Sequence, residues 1–287
     1  MSETMTYKMQ PAGHEEPAPK RKYPEPDKRL KRWFEKQLNA KAFAVKDQYL
    51  DAVKSAKGLD ISVAEANALL IKYESNPRIH YFGGIILSAL YNRSNEKVMI
   101  YDLDIPLQHF GYELPNDRIL VNKGRVGKYF GQKSKGIILN YGLTEWDVAT
   151  DSHGLFLNYG TSGLGFGKTF GVAINFGNIE ELSIFSAHGY AIDYGTHTDK
   201  QKKRADVNYE SLKGHERRNL EIERIMVHDD GVPEVRNYLQ DLKQKLEKGK
   251  NDHEKTIEII KEFGEQPAQK IKKELNELFK RYENVQT

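Results

Sequence analysis

The chain has 287 residues, with 44 basic and 41 acidic side chains, 38% hydrophobic residues and no cysteine. That length accommodates one large domain or two ordinary ones, and the missing cysteines exclude disulfides, a thiol nucleophile and zinc–thiolate sites. A net charge of +3 is too small by itself to argue for nucleic acid, and no run approaches the eighteen apolar residues of a membrane span. The first residues hold no apolar signal core, so the expectation is a cytoplasmic protein that contacts no membrane.

Residues 1–26 carry five of the ten prolines amid charge and read as a disordered tail. Helices are expected over 27–77. From Asp27 to Lys57 apolar residues such as Leu30, Phe34 and Leu38 recur at helical steps, and Gly58 suits the position after a helix end. Ser62-x-x-Glu65 is a capping box opening a second helix through Tyr73, stopped by Asn76-Pro77. Residues 79–106 read as a strand, a turn over Asn92 to Asn95, and a second strand from Val98 to Leu103.

The strongest signal is a repeat. Gly136-Ile-Ile-Leu-Asn-Tyr-Gly142, Gly154-Leu-Phe-Leu-Asn-Tyr-Gly160, Gly171-Val-Ala-Ile-Asn-Phe-Gly177 and Gly189-Tyr-Ala-Ile-Asp-Tyr-Gly195 share one pattern, their last glycines 18, 17 and 18 residues apart. Arg118-Ile-Leu-Val-Asn-Lys-Gly124 precedes them in register. A period near 18 is too short for helix-pair repeats. Each unit alternates with period two and is rich in β-branched residues, which reads as a strand. The fold class expected is therefore mainly β: a single-stranded parallel β-solenoid of 18-residue coils over 79–230, regular over 107–195, with helices on both sides.

Stacking places like residues in columns. Asn122, Asn140, Asn158, Asn175 and Asp193 form a hydrogen-bonded ladder, with a ligand-binding row as the alternative. Tyr141, Tyr159, Phe176 and Tyr194 form an aromatic column, read as packing or, alternatively, as a sugar-binding row. Gly124, Gly142, Gly160, Gly177 and Gly195 close each unit, where a positive φ is expected. The paired positions Ile119/Val121, Ile137/Leu139, Leu155/Leu157, Val172/Ile174 and Tyr190/Ile192 read as the buried face. Leu120, Ile138, Phe156, Ala173 and Ala191 then point outward, and a helix from 27–57 is expected to cover them.

Two coils extend the glycine pattern: Gly124-x2-Gly127-x3-Gly131-x4-Gly136 and Gly160-x2-Gly163-x3-Gly167-x3-Gly171. This resembles the GXGXG domain, the β-helix found at the C-terminus of the glutamate synthase large subunit and in formylmethanofuran dehydrogenase. The resemblance covers about 107–195. It departs where Leu143 to Ser152 and Asn178 to His188 lose the inner glycines, and where the double glycine is reduced to one. It implies a right-handed β-helix with a scaffolding role, and no catalytic residue, metal ligand or cofactor is carried over.

Beyond Gly195 come a polar loop with Lys200, Lys202, Lys203 and Arg204, a strand over Asn219 to His228, and C-terminal helices over 232–287, at 233–246, Glu254–Phe263 and Pro267–Tyr282. Chemistry is sparse. His153 and His188 share a column two coils apart, roughly 9–10 Å by strand spacing, too far for one zinc. His197 with Asp199, and His228 with Asp229 and Asp230, are short imidazole–carboxylate clusters in expected loops. Gly163 to Thr169 ends in Gly-Lys-Thr, but Ser162 stands where a phosphate loop needs its first glycine. Residues 20–36 carry eight basic and three acidic side chains, among them Lys20, Arg21, Lys22, Lys28, Arg29 and Arg32, interleaved with Tyr23 and Trp33. That pattern is a candidate nucleic-acid contact or a solvated basic helix end. The leading expectation is a scaffold without a cofactor that assembles with itself or another protein. A polysaccharide-acting β-helix enzyme and a nucleic-acid binder are the alternatives.

Overall fold

The computed structural model describes residues 23–40, 44–59, 61–166, 169–180, 189–197, 233–264 and 266–285. The expected tail 1–22, the loop from Lys200 and the strand over Asn219 to His228 lie outside the described residues.

The middle of the chain is a parallel β-solenoid. Each rung has a four-residue strand followed by a second strand, four residues long in the first rung and two in the others: β1 (Val98–Tyr101) and β2 (Asp104–Leu107), β3 (Ile119–Asn122) and β4 (Arg125–Val126), β5 (Ile137–Asn140) and β6 (Leu143–Thr144). The series continues with β7 (Leu155–Asn158) and β8 (Thr161–Ser162), β9 (Val172–Asn175) and β10 (Asn178–Ile179), β11 (Tyr190–Asp193) and β12 (Thr196–His197). Odd strands form one six-stranded parallel sheet and even strands another. The register runs Ile119↔Ile137↔Leu155↔Val172↔Tyr190 without slippage, as the repeat spacing requires.

Glycine marks the corners because adjacent rungs nearly touch there. A Cβ on Gly160 would lie 2.2 Å from the Gly142 carbonyl oxygen, and one on Gly177 would lie 2.0 Å from that of Gly160. This corrects the expected positive φ: none of Gly124, Gly142, Gly160, Gly177 and Gly195 is left-handed. Left-handed residues occur on the third side of the coil instead. They fall in register at His109, Tyr129, Asp147 and Gly165, and again at Gly111, Gly131 and Ala149. There inter-rung hydrogen bonds such as His109 N–H to Lys128 O (2.8 Å) and Ala149 N–H to Phe130 O (2.8 Å) replace strand pairing.

The strands are turned over relative to the orientation expected from sequence. Leu120, Ile138, Phe156 and Ala173 point into the bore, clustered with Val126, Phe130, Val148 and Phe166 from the other sides of the coil. Ile138 reaches the Gly131 backbone across the bore, where a Cβ would meet its Cδ1 at 2.4 Å. The paired residues Ile137/Leu139, Leu155/Leu157 and Val172/Ile174 face outward. They are buried beneath α5 (Pro233–Glu247), α6 (His253–Glu262) and α7 (Pro267–Val285), which supply Leu242, Leu246, Ile260, Ile271 and Leu275. Both sides of the strands are apolar, so alternation alone could not assign inside from outside. A narrow bore admits the single central residue and the Asn, and the two-residue row needs helices over it.

The N-terminal helices close one end of the bore instead of lying along its side. Residues 27–57 form two helices, α1 (Lys28–Leu38) and α2 (Val45–Ser55), followed by α3 (Val63–Lys72) with its Ser62/Glu65 capping box. The strand expected after residue 79 is a π-helical turn (Ile79–Gly83) running into α4 (Gly84–Arg93). This helix is apolar on every side and buried from Gly84 to Tyr91, so it has no amphipathic period to read. A Cβ on Gly84 would fall 2.0 Å from the Gln108 carbonyl oxygen, so the helix sits backbone to backbone on the first coil. Tyr91 meets Phe110 edge-on, Phe110 stacks on Phe130, and Phe130 meets Phe156 edge-on, which joins the cap and the bore in one aromatic spine.

The five ladder residues stand in single file inside the bend, the four asparagines fully buried and Asp193 nearly so. Asn122 Nδ2 donates to Asn140 Oδ1, Asn140 to Asn158, and Asn158 to Asn175, each at 2.7 Å; Asn175 donates to Asp193 at 2.8 Å. Asn158→Ala removes two buried side-chain bonds of the ladder, while Asn140 Nδ2 keeps Gly142 O and Asn175 Oδ1 keeps the Gly177 N–H, with an expected loss of about 2 kcal/mol. Gly160→Ala forces two rungs apart and is expected to cost at least about 2 kcal/mol. Urea unfolding of each variant at unchanged m-value measures both, and a loss below about 1 kcal/mol for either contradicts this account.

Candidate interaction surfaces

The aromatic column lies on the outer side of the first sheet. Tyr141, Tyr159, Phe176 and Tyr194 stack ring on ring, with centroids 5.0, 5.2 and 5.5 Å apart. Their hydroxyls point at the C-terminal helices: Tyr159 donates to Leu246 O at 3.1 Å, Tyr194 to Leu239 O at 2.8 Å, and Tyr141 to Gly249 O at 3.1 Å. Burial pushes the Tyr141 phenol up to about 12. This column is a seam that holds helices, so its rings are not offered to a ligand.

The basic N-terminal segment divides. Lys20, Arg21 and Lys22 lie outside the described residues. Lys28, Arg29, Arg32 and Lys36 form an exposed stripe on α1. The aromatic side chains interleaved with them are spent on the fold: the Trp33 indole is buried with its Nε1–H on Ser55 Oγ (2.9 Å), and the Tyr23 hydroxyl donates to Asp102 (3.0 Å). Neither ring is free to stack on a base.

His153 is exposed and lies flat on Phe170, with centroids 5.0 Å apart. Its column partner His188 lies outside the described residues, as do Asp199, His228, Asp229 and Asp230; His197 ends the last short strand. Among the described residues, no three His, Asp or Glu side chains come together as a metal-binding group would.

A ridge on the third side of the coil is not foreseen by the repeat pattern. Backbone bonds from Tyr129 N–H to Trp146 O and from Asp147 N–H to Leu164 O place Lys128, Trp146 and Leu164 at equivalent positions of successive rungs. Trp146 is 47% exposed and Leu164 38%, in a protein whose other large apolar side chains are mostly covered. The Trp146 ring lies over Gly163, where a Cβ would approach its Cδ1 to 3.1 Å, and the Lys128 ammonium sits 4.1 Å from the ring centroid. Arg125 and Glu145 pair beside it at 3.3 Å. At the N-terminal end of the ridge Gln108 N–H bonds His80 O, and the neighbouring Tyr81 is 60% exposed. The column was legible only as a departure: Trp146 sits in the coil that loses its inner glycines.

No protein-family model, no curated protein and no solved structure matches this chain.

Beside the ridge His109 stacks on Tyr129 at 4.7 Å, and its Nδ1 lies 2.9 Å from Gln132 Oε1. Burial lowers the imidazole below its ordinary value, and the Gln132 contact works against this. His253, at the start of α6, is lowered by burial and by the nearby Lys123 charge, with Glu254 and Asp252 opposing. A histidine that protonates less readily in the folded chain binds fewer protons than the unfolded chain does. Stability is thus retained above pH ~6.5 and lost as pH falls from there through the lowered folded value. His109→Asn, which tolerates the left-handed backbone, is expected to reduce the drop in urea midpoint between neutral and acidic buffer. An unchanged drop in that variant removes His109 as a source.

Proposed function

We propose that this protein is a non-catalytic scaffold that mediates protein–protein assembly, with the Trp146 ridge as its contact surface. The observation that carries this reading is a large aromatic side chain held at the surface on a rigid parallel ladder, flanked by Leu164, a cation over its ring and a charge pair at its rim. Tryptophan and tyrosine dominate the energetics of protein interfaces when surrounded by a polar rim. The glycine spacing shared with the GXGXG domain supports the same role, because that domain is structural in its family. The C-terminal helices cover the outer sheet and the N-terminal helices cap the bore, while Trp146 and Leu164 stay exposed on the third side.

Sedimentation and light scattering of the full chain test self-assembly, and affinity capture with wild-type and Trp146→Ala baits tests a partner. Truncation of the indole is expected to weaken the association by about 2 kcal/mol, roughly thirty-fold in Kd, without moving the urea midpoint. An association that survives both Trp146→Ala and Leu164→Ser undiminished places the contact elsewhere.

A further inference from the structure

A second feature lies on the opposite corner of the coil, where the start of α7 crosses the rungs. The column Lys135, His153 and Phe170 immediately precedes the glycine column Gly136, Gly154 and Gly171. The half-buried Lys272 of α7 donates to the Phe170 carbonyl at 2.5 Å and so pins the helix to this corner. Between them opens a cleft of about 410 Å³, within the range of small-molecule sites.

Five polar side chains line it: Asn116, Lys135, His153, Gln266 and Gln269. None of the five makes a side-chain hydrogen bond or ion pair to the protein among the described residues, in a fold where nearby polar groups are paired. Asp117, the acidic residue next to Asn116, is engaged by Lys97 and Arg118, so its charge does not neutralise Lys135. No acidic side chain is among the residues described as lining the cleft. The floor is apolar, with Ile137 and Leu155 beneath the rim, and the stacking on Phe170 fixes the His153 ring. The first turn of α7 adds the positive end of its dipole.

We propose that this cleft binds a small organic anion, with the charged group on Lys135 and the amides of Asn116 and Gln269, and the apolar body against Ile137 and Leu155. Cation and amide donors on a rim, above an apolar floor and with no carboxylate among the described lining residues, match an amphiphilic carboxylate or phosphate monoester. The site is separate from the Trp146 ridge and does not depend on the assembly reading.

Calorimetric titration of the full chain with benzoate, phenyl phosphate and benzyl alcohol tests it. Both anions are expected to saturate one site, benzyl alcohol is not, and the stronger anion identifies whether carboxylate or phosphate is preferred. Lys135→Gln is expected to weaken binding about tenfold, and Gln269→Glu to abolish it. Both positions are exposed, and a glutamate in the first turn of a helix favours folding, so unchanged circular dichroism is expected for both variants. Absence of heat from either anion up to about 20 mM, equal binding of benzyl alcohol, or binding indifferent to Lys135→Gln and Gln269→Glu overturns the proposal.

Discussion

The structure depends on how closely one rung can lie on the next at its bends. Where a Cβ would come within about 2 Å of the neighbouring carbonyl oxygen, only glycine is admitted, and the column of glycines lets the inter-rung amide bonds close. Inside the same bend the asparagine ladder donates and accepts once per rung, so it is satisfied only if every rung carries its member. Each bond is worth about 1 kcal/mol net, and a missing member breaks two of them, leaving its neighbours with only their bonds to the local glycine backbone. The ladder therefore acts as a register device. A rung displaced by one residue along the chain would move its asparagine to the outer side and an aliphatic residue into the file.

That same periodicity is why so much of the fold was readable from residue types. Ile119 to Asn122, Ile137 to Asn140 and Leu155 to Asn158 name their own neighbours at a fixed spacing, and the pairing follows that spacing. What the pattern could not supply was polarity of direction. Leu120 and Ile138 are as hydrophobic as Val121 and Leu139, and the choice between them rests on a partner that lies more than ninety residues further along the chain. One clue was present: Asn122 shares its side of the strand with Leu120, and an asparagine ladder needs the dry interior that the bore provides. The segment from Ile79 to Tyr91 resists reading for the opposite reason. Its hydrophobicity is continuous, and a continuous apolar run is equally compatible with a buried strand and a buried helix.

The third side of the coil was nearly invisible in the sequence. It is built from residues with alternating left-handed backbone, and only Gly111, Gly131 and Gly165 mark it by type, while His109, Tyr129, Lys133, Asp147, Ala149 and Asp151 adopt the same conformation without being glycine. Each such residue is held against a preference of about 1 kcal/mol, offset by the inter-rung amide bonds it makes possible. The ridge and its exposed tryptophan ride on this side, so the proposed contact surface is also the part least constrained by the repeat.

The two candidate surfaces differ in how the fold produces them. Trp146 is exposed because its rung has a glycine, Gly163, as the next neighbour along that corner, so the indole lies between bare backbone and the Lys128 ammonium and stays 47% exposed. The cleft at Lys135 exists because a helix that must cover the outer sheet begins short of its edge, leaving polar ends above an apolar floor. The first is a property of a single rung, and replacement of one side chain removes it without disturbing the stack. The second is a property of the junction between solenoid and helix, held by the Lys272 bond to Phe170 and the tyrosine seam. Loosening that seam would alter the cleft and leave the ridge intact, which makes the two surfaces separable in the same molecule.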